Sequence, residues 1–379
     1  MPNDPLAPVF GVEESFFLVD TRSRNLPTQL PDGFLEAARD AFREGFSQEM
    51  FQSVVCLDMA QPTLLEINEA RACLLEKRTR LAAIAREHQL APLCAGSHPF
   101  ADWHVQVPSD DPHYQPLFED QRMIAHRSLV CGMRVHVVVP LEIDRIQVMN
   151  RVLGWLPLLL ALSTSSPLWN GRPTGLMSYR QAVCAEWPHK GIPEHFPDEP
   201  AFDAYLQWLM ASGSIRREGD LAWCIRPSPR FPTLELLAAD ACPSVEDALC
   251  IVALFRALVS WAMVQDDGDL QDAPLQRLVL KENHWRAMRF GIHGMYLDGS
   301  GEASLSAGAW LARAYACFGE LAESEGDDQA FVRGRHVLRY GSSADRQLLR
   351  YREALQSGLP RQQALVAVID ELIAETTGG

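Results

Sequence analysis

No two of the nine cysteines (56, 73, 94, 131, 184, 224, 242, 250 and 317) stand in a CxxC spacing, and their number is odd. Both facts argue against a disulfide framework and for free thiols, most of them small buried hydrophobes. Basic residues are scarce, 34 Lys+Arg against 49 Asp+Glu, for a net charge of -15. Such a chain repels phosphate backbones and anionic membrane surfaces over a Debye length, which excludes nucleic acid and membrane as expected partners. An anionic small substrate such as a nucleotide then needs a local arginine cluster or divalent cations. No apolar run approaches the ~20 residues of a bilayer span. The most apolar stretch, Trp155 to Leu162, reads as a buried helix with Pro157 near its start. The opening Met1-Pro2-Asn3-Asp4-Pro5 lacks a basic region followed by an apolar run, so no signal peptide is expected and the cytoplasm is the expected compartment. Internal repeats and low-complexity tails are also missing.

What is present is globular: 379 residues, 47% hydrophobic and 22% charged. The stretch Gly11-Val12-Glu13-Glu14-Ser15-Phe16-Phe17-Leu18-Val19-Asp20 reads as a strand that opens with two carboxylates and a hydroxyl. Side chains alternate along a strand, so Glu13, Ser15 and Phe17 share one face and Val12, Glu14, Phe16 and Leu18 the other. If the second face packs on helices, Glu13 enters whatever the sheet surrounds; a solvated strand end explains it as well.

Further along, Phe51 to Leu57 reads as a strand with Cys56 and Asp58 on one face, and Leu64 to Leu90 as one amphipathic helix stopped before Pro92. A strand Ala91 to Ala95 leads into the turn Gly96-Ser97-His98-Pro99-Phe100. The run Leu129 to Pro140 presents Arg134 and His136 on one face. Arg145 to Ser166 is helical and apolar. Leu221 to Leu237 reads as strand, Pro-bounded turn, strand, with Cys224 and Arg226 sharing one face and Glu235 and Leu237 another. A helix begins at Ser244, another carries Asn283, Arg286 and Arg289, and Ser304 to Thr376 is helical with a start signal at Gly341 to Asp345.

Taken together, several strings resemble the bacterial carboxylate-amine ligases related to glutamate-cysteine ligase (type 2). They are Gly11-Val12-Glu13-Glu14, Gly96-Ser97-His98-Pro99-Phe100, Cys131-Gly132 with Val135-His136-Val137, Ser165-Ser166-Pro167 with Trp169 and Gly171, Ile225-Arg226-Pro227-Ser228, Pro232-Thr233-Leu234-Glu235, Asn283 with Trp285-Arg286-Ala287 and Arg289, and Ser343-Ala344-Asp345-Arg346-Gln347. The resemblance implies one catalytic domain over 1–379 of α+β class: a curved, mostly antiparallel sheet with the active site on its concave face and helices on the convex face, like glutamine synthetase and guanido kinases. It implies that ATP phosphorylates a carboxylate, typically glutamate's, and that an amine displaces the phosphate to form an amide. It also implies ATP and Mg2+, an amino acid or amine substrate, and a homodimer. By the same resemblance Glu13, Glu235, Arg226 and Arg134 are the catalytic candidates, and Ser15, His98, Asn283, Arg286 and Arg289 the substrate and nucleotide candidates.

This chain departs from the family pattern at five positions. Ser15, Cys56 and Cys224 stand where the pattern has acidic residues, Arg134 where it has histidine, and Leu237 where it has arginine. Ser and Cys are poorer ligands for magnesium than carboxylates. Two alternatives to the ligase therefore stand at this point: a zinc or other transition-metal site built from Glu13, Cys56, His136, Cys224 and Glu235, or a non-catalytic binding relative whose arginines hold an anion.

Overall fold

The computed structural model describes residues 8–64, 66–265, 273–298 and 303–378. The opening Met1 to Pro5 segment lies outside them. Seven strands form the main sheet: β1 (Phe10–Asp20), β2 (Phe46–Gln48), β3 (Val54–Leu64), β4 (Leu90–Leu93), β5 (Met133–Val138), β6 (Ile225–Pro227) and β7 (Thr233–Leu236). Their order is β6-β7-β5-β1-β3-β2, with β4 also on β1, and every pairing is antiparallel. The central strand is β1, buried throughout except for the partly exposed Ser15 and Asp20.

Period-2 alternation sends Glu13 and Glu14 to opposite faces, as the sequence predicts. Glu14 points at helix α1 (Ile67–Glu87), where the fully buried Arg78 donates to it through Nη2 at 2.5 Å and Nε at 3.0 Å. Arg78 also donates to the carbonyls of Cys242 at 2.8 Å and Pro243. The second large helix behind the sheet, α2 (Val245–Met263), is buried along most of its length and carries the buried Arg256, which pairs with Asp327 at 2.6 Å.

One edge of β1 is taken by β3. The other is shared by two strands: β5 pairs with Phe10 to Glu14, and β4 with Phe17 to Asp20. Between them Ser15 N donates to Gly132 O at 3.2 Å, and the chain N-terminal to β5 peels away to bond Gly96. The sheet forks at Ser15. That divergence is why β5 begins at Met133 although the β-branched run suggests a start near Leu129.

A second difference concerns Leu64, which ends β3 and does not start the helix. β3 reaches that far because its pairing with β1 resumes, across an irregularity, at Phe10↔Leu64. Its pairing with β2 ends at Leu57, so Pro62 falls beyond the stretch paired on that side. The apolar run Arg145–Ser163 is longer than Trp155 to Leu162 and, at 19 residues and mean hydropathy 1.3, matches a membrane span by composition. It is 78% buried inside the protein and broken by a 3-10 turn at Leu153–Trp155, so it serves as core. Four helices close the chain, and Ser342 and Asp345 cap the one starting at Ser343 reciprocally, as the start signal there predicts.

Candidate active site

The face of the sheet opposite α1 carries a row of charges set by strand register. Arg226 lies across from Glu235, Glu235 across from His136, and Arg134 across from Glu13. Arg226 Nε donates to Glu235 Oε2 at 2.7 Å, and His136 Nδ1 stands 3.6 Å from Glu235 Oε1. On its other side His136 Nε2 is 3.1 Å from Glu13 Oε1. Glu13 Oε2 accepts from Arg134 at 2.6 Å, and Arg230, from the turn between β6 and β7, donates to Oε1 at 3.1 Å. Both carboxylates are buried, Glu13 being 4% and Glu235 2% exposed. Burial alone would raise both carboxyls. Arg134 and His136 outweigh it at Glu13, and Arg226 and His136 at Glu235, and both are held below the usual carboxylate range.

The thiols behave differently. Cys56 lies opposite Ser15 on β3, and burial, reinforced by Glu49 and Glu13, pushes its thiol well up. Cys224, just before β6, is pushed up to about 12 by burial. A thiol must lose its proton to bind zinc. Among the described residues, no three His, Cys, Asp or Glu side chains form a group that could hold a metal ion. Glu13 and Glu235 already direct their oxygens at guanidinium and imidazole donors. The donor set as arranged therefore offers no ready zinc site among the described residues, and the transition-metal alternative gains no support.

Other sequence candidates lie apart from the row. His98 is buried in its turn: Nδ1 accepts from Ala101 N at 2.9 Å and Nε2 lies 3.0 Å from Arg24 O. Burial lowers its imidazole to about 3. Helix α3 (Tyr179–Cys184) precedes helix α4 (Ala273–Phe290), which carries the other three. Asn283 bonds both ways with Leu297, as donor at 2.8 Å and acceptor at 2.7 Å, fixing strand β8 (Met295–Leu297) to the helix. Arg286 pairs with Glu282 and donates to Met295 O, while Arg289 lies over Phe290.

A cavity of about 140 Å³ opens beside the row at the fork, lined by Ser15, Arg134 and Cys224 together with Glu49, Arg180 and Lys190, which carried no sequence signal. Arg180 stands on α3. Its guanidinium lies against Gly132, where a Cβ would come within 2.7 Å of Cζ, and it donates to Leu237 O at 3.0 Å. Behind it the fully buried Asp240 accepts from Ser166 Oγ at 2.7 Å, Ser178 Oγ at 2.8 Å and Ser165 N at 3.0 Å, and faces Arg180 at 3.7 Å. That network explains the Ser165-Ser166-Pro167 string and the glycine of Cys131-Gly132 as supports for the cavity wall.

The architecture has solved counterparts. Glutamate-cysteine ligase from Francisella tularensis in complex with AMP superposes with a TM-score of 0.69 at 11% identity, over 98% of this chain and 93% of that one. A bifunctional glutathione synthetase from Pasteurella multocida gives 0.69 at 13% over 97% of this chain, which spans about half (52%) of that longer protein. These likenesses show the fold. At the level of sequence, the chain is 42% identical over 367 residues to a protein of Ectopseudomonas mendocina, covering 97% of this chain and 96% of that one. It is 45% identical over 368 residues to one of Pseudomonas paraeruginosa, covering 97% and 95%. Both bear the name "Putative glutamate--cysteine ligase 2". The model of glutamate-cysteine ligase family 2 matches residues 9–365, and the chain belongs to that family. It is a ligase.

Proposed function

We propose that this ligase is ATP-dependent and joins a carboxylate, of γ-glutamyl type, to an amine through an acyl phosphate. A carboxylate oxygen of the acyl donor attacks the γ-phosphorus of ATP and ADP leaves; the amine nitrogen then attacks the acyl carbon, the C–O bond to phosphate breaks, and the amine gives up a proton. The observation that carries the reading is the convergence of Arg134, Arg226 and Arg230 on Glu13 and Glu235 across one face of the family's sheet. Guanidinium groups bind phosphate and carboxylate bidentately and neutralise charge that builds on transferring phosphoryl oxygens. Arg230, whose side chain is 57% exposed, is the one best placed to swing onto an incoming anion. Glu13 and Glu235 hold these cations in place, and His136 between them keeps the row continuous. ADP release is measured over a panel of acidic amino acids paired with amines, with magnesium or manganese. Turnover with at least one pair supports the proposal, and silence across the panel by well-folded protein overturns it.

A further inference from the structure

Asp240, fully buried and outside the charged row, accepts from three groups: Ser166 Oγ at 2.7 Å, Ser178 Oγ at 2.8 Å and Ser165 N at 3.0 Å. None of the three carries a charge. A carboxylate sealed from water is retained when a cation stands beside it, and the cation here is Arg180, whose Nη1 lies 3.7 Å away. Burial raises the Asp240 carboxyl, and Arg180 is the charge that opposes the rise.

The surroundings are shaped to this pair. A Cβ at Gly96 would come within 2.8 Å of the Asp240 carboxyl carbon, and one at Gly132 within 2.7 Å of Arg180 Cζ, so each glycine makes room for one partner. Ser178 stands at the N-cap of α3, where a serine ordinarily caps the first turn of its own helix. Its hydroxyl makes no capping bond and donates to Asp240. Ser166 Oγ accepts from Arg180 N at 3.1 Å in its stead. The start of this six-residue helix is thus tied to Asp240, and Arg180 is carried with it against the sheet. Its Nη2 and Nη1 donate to the carbonyls of Leu237 at 3.0 Å and Ala238 at 3.4 Å, which leaves further N–H groups for the cavity that the residue lines.

We propose that Asp240 is a positioning residue of the ligase reaction: it touches no substrate, and its carboxylate holds the Arg180 guanidinium at the cavity wall to meet an anionic group of the acyl donor or the amine. The reaction is that of the ligase reading, on which this inference rests; the hold of Asp240 on Arg180 rests on the geometry alone.

Steady-state ADP release by the full chain, with a substrate pair that the wild type turns over, tests the assignment. Asp240→Asn keeps the shape of the side chain and removes its charge. It raises KM for the acyl donor or the amine by about tenfold or more and leaves KM for ATP within about threefold, since a misplacement of about 1 Å at an orienting group costs on the order of a hundredfold. Whichever KM rises names the substrate that Arg180 meets. A residue that only keeps the protein folded would lower the active fraction, and so the maximal rate, with every KM unchanged. Arg180→Met raises the same KM, and adding Asp240→Asn to it raises that KM no further, because one residue acts through the other. Wild-type KM values in a folded Asp240→Asn, or effects of the two substitutions that multiply, overturn the assignment. Arg180→Met keeps the test decisive where Asp240→Asn does not fold: wild-type KM values there leave Asp240 nothing to position and overturn it as well. Silence of the wild type over every substrate pair removes the ligase reading and this inference with it. Wild-type turnover whose KM values Asp240→Asn leaves untouched removes this inference alone.

Discussion

Glu13 and Glu14 are neighbours in the chain, lie on opposite faces of β1, and are each held by an arginine from a different element: Arg134 at 2.6 Å on the charged face and Arg78 at 2.5 Å on the helical one. The two pairs have the same chemistry and different consequences. The first faces the cavity side of the sheet; the second is sealed, with side chains 1% and 3% exposed.

Arg78→Met leaves Glu14 buried with its charge unmatched and is expected to cost about 3–5 kcal/mol. Urea unfolding followed by circular dichroism checks it. A loss under about 1 kcal/mol would show that water reaches Glu14 in solution.

Glu13→Gln removes the carboxylate on which Arg134, His136 and Arg230 converge. ADP release is expected to fall by about two orders of magnitude, the scale on which one preorganised polar group acts, with the far-ultraviolet spectrum unchanged. The wild-type carboxyl is held below its unfolded value near 4.5, so the stability it contributes is present above that pH and is lost only as pH falls through the lower folded value. Full activity in Glu13→Gln would remove the charged face from the mechanism.

His98 titrates at about 3 in the folded protein against an ordinary 6.5. Its folded value is depressed, so its contribution is complete above pH 6.5 and drains away as pH falls toward 3. Across that window it adds a slope of up to about 1.4 kcal/mol per pH unit. Unfolding free energy of His98→Gln, measured from pH 7 to 4, is expected to depend less steeply on pH than that of wild type. Parallel curves would mean that His98 has access to water.

Gly132→Ala places a methyl group against the Arg180 guanidinium. The arginine must leave its carbonyl and Asp240 contacts, for about 1–3 kcal/mol of destabilisation, and the cavity wall shifts with it. If the cavity takes part in the proposed ligase reaction, the expected kinetic signature is a raised KM for the acyl donor or the amine, with KM for ATP little changed.

Asn283→Ala separates two roles for that residue. Its bonds to Leu297 predict a loss of about 1–3 kcal/mol in stability with KM for ATP unchanged. A large rise in KM for ATP at unchanged stability would place Asn283 at the nucleotide.

The charged row was legible in the sequence because strand period fixes it: once Glu13, His136, Arg226 and Glu235 are each assigned to a strand, alternation decides which of them share a face. Register then brought them together, and the antiparallel sheet followed the expected pattern. The cavity was not legible. Glu49, Arg180 and Lys190 come from a strand end, a six-residue helix and a two-residue pairing, and nothing local marks such pieces as neighbours. Leu64 misled for a related reason, since its helical spacing is real but pairing with Phe10 overrides it. Asn283 carried the signal of a polar residue on a helix face, and that signal cannot distinguish a ligand contact from a backbone clamp.

The fork at Ser15 has an implication for how this protein can change. Because the opening is made where β4 and β5 part company along one edge of β1, its existence is a property of the chain's path and not of the size of any side chain around it. Substituting the residues that face it redraws what the space accepts while the strands that create it keep their hydrogen bonds. The scaffold thereby uncouples having a recess from choosing its occupant, which lets members of one family diverge in preference without paying for it in architecture.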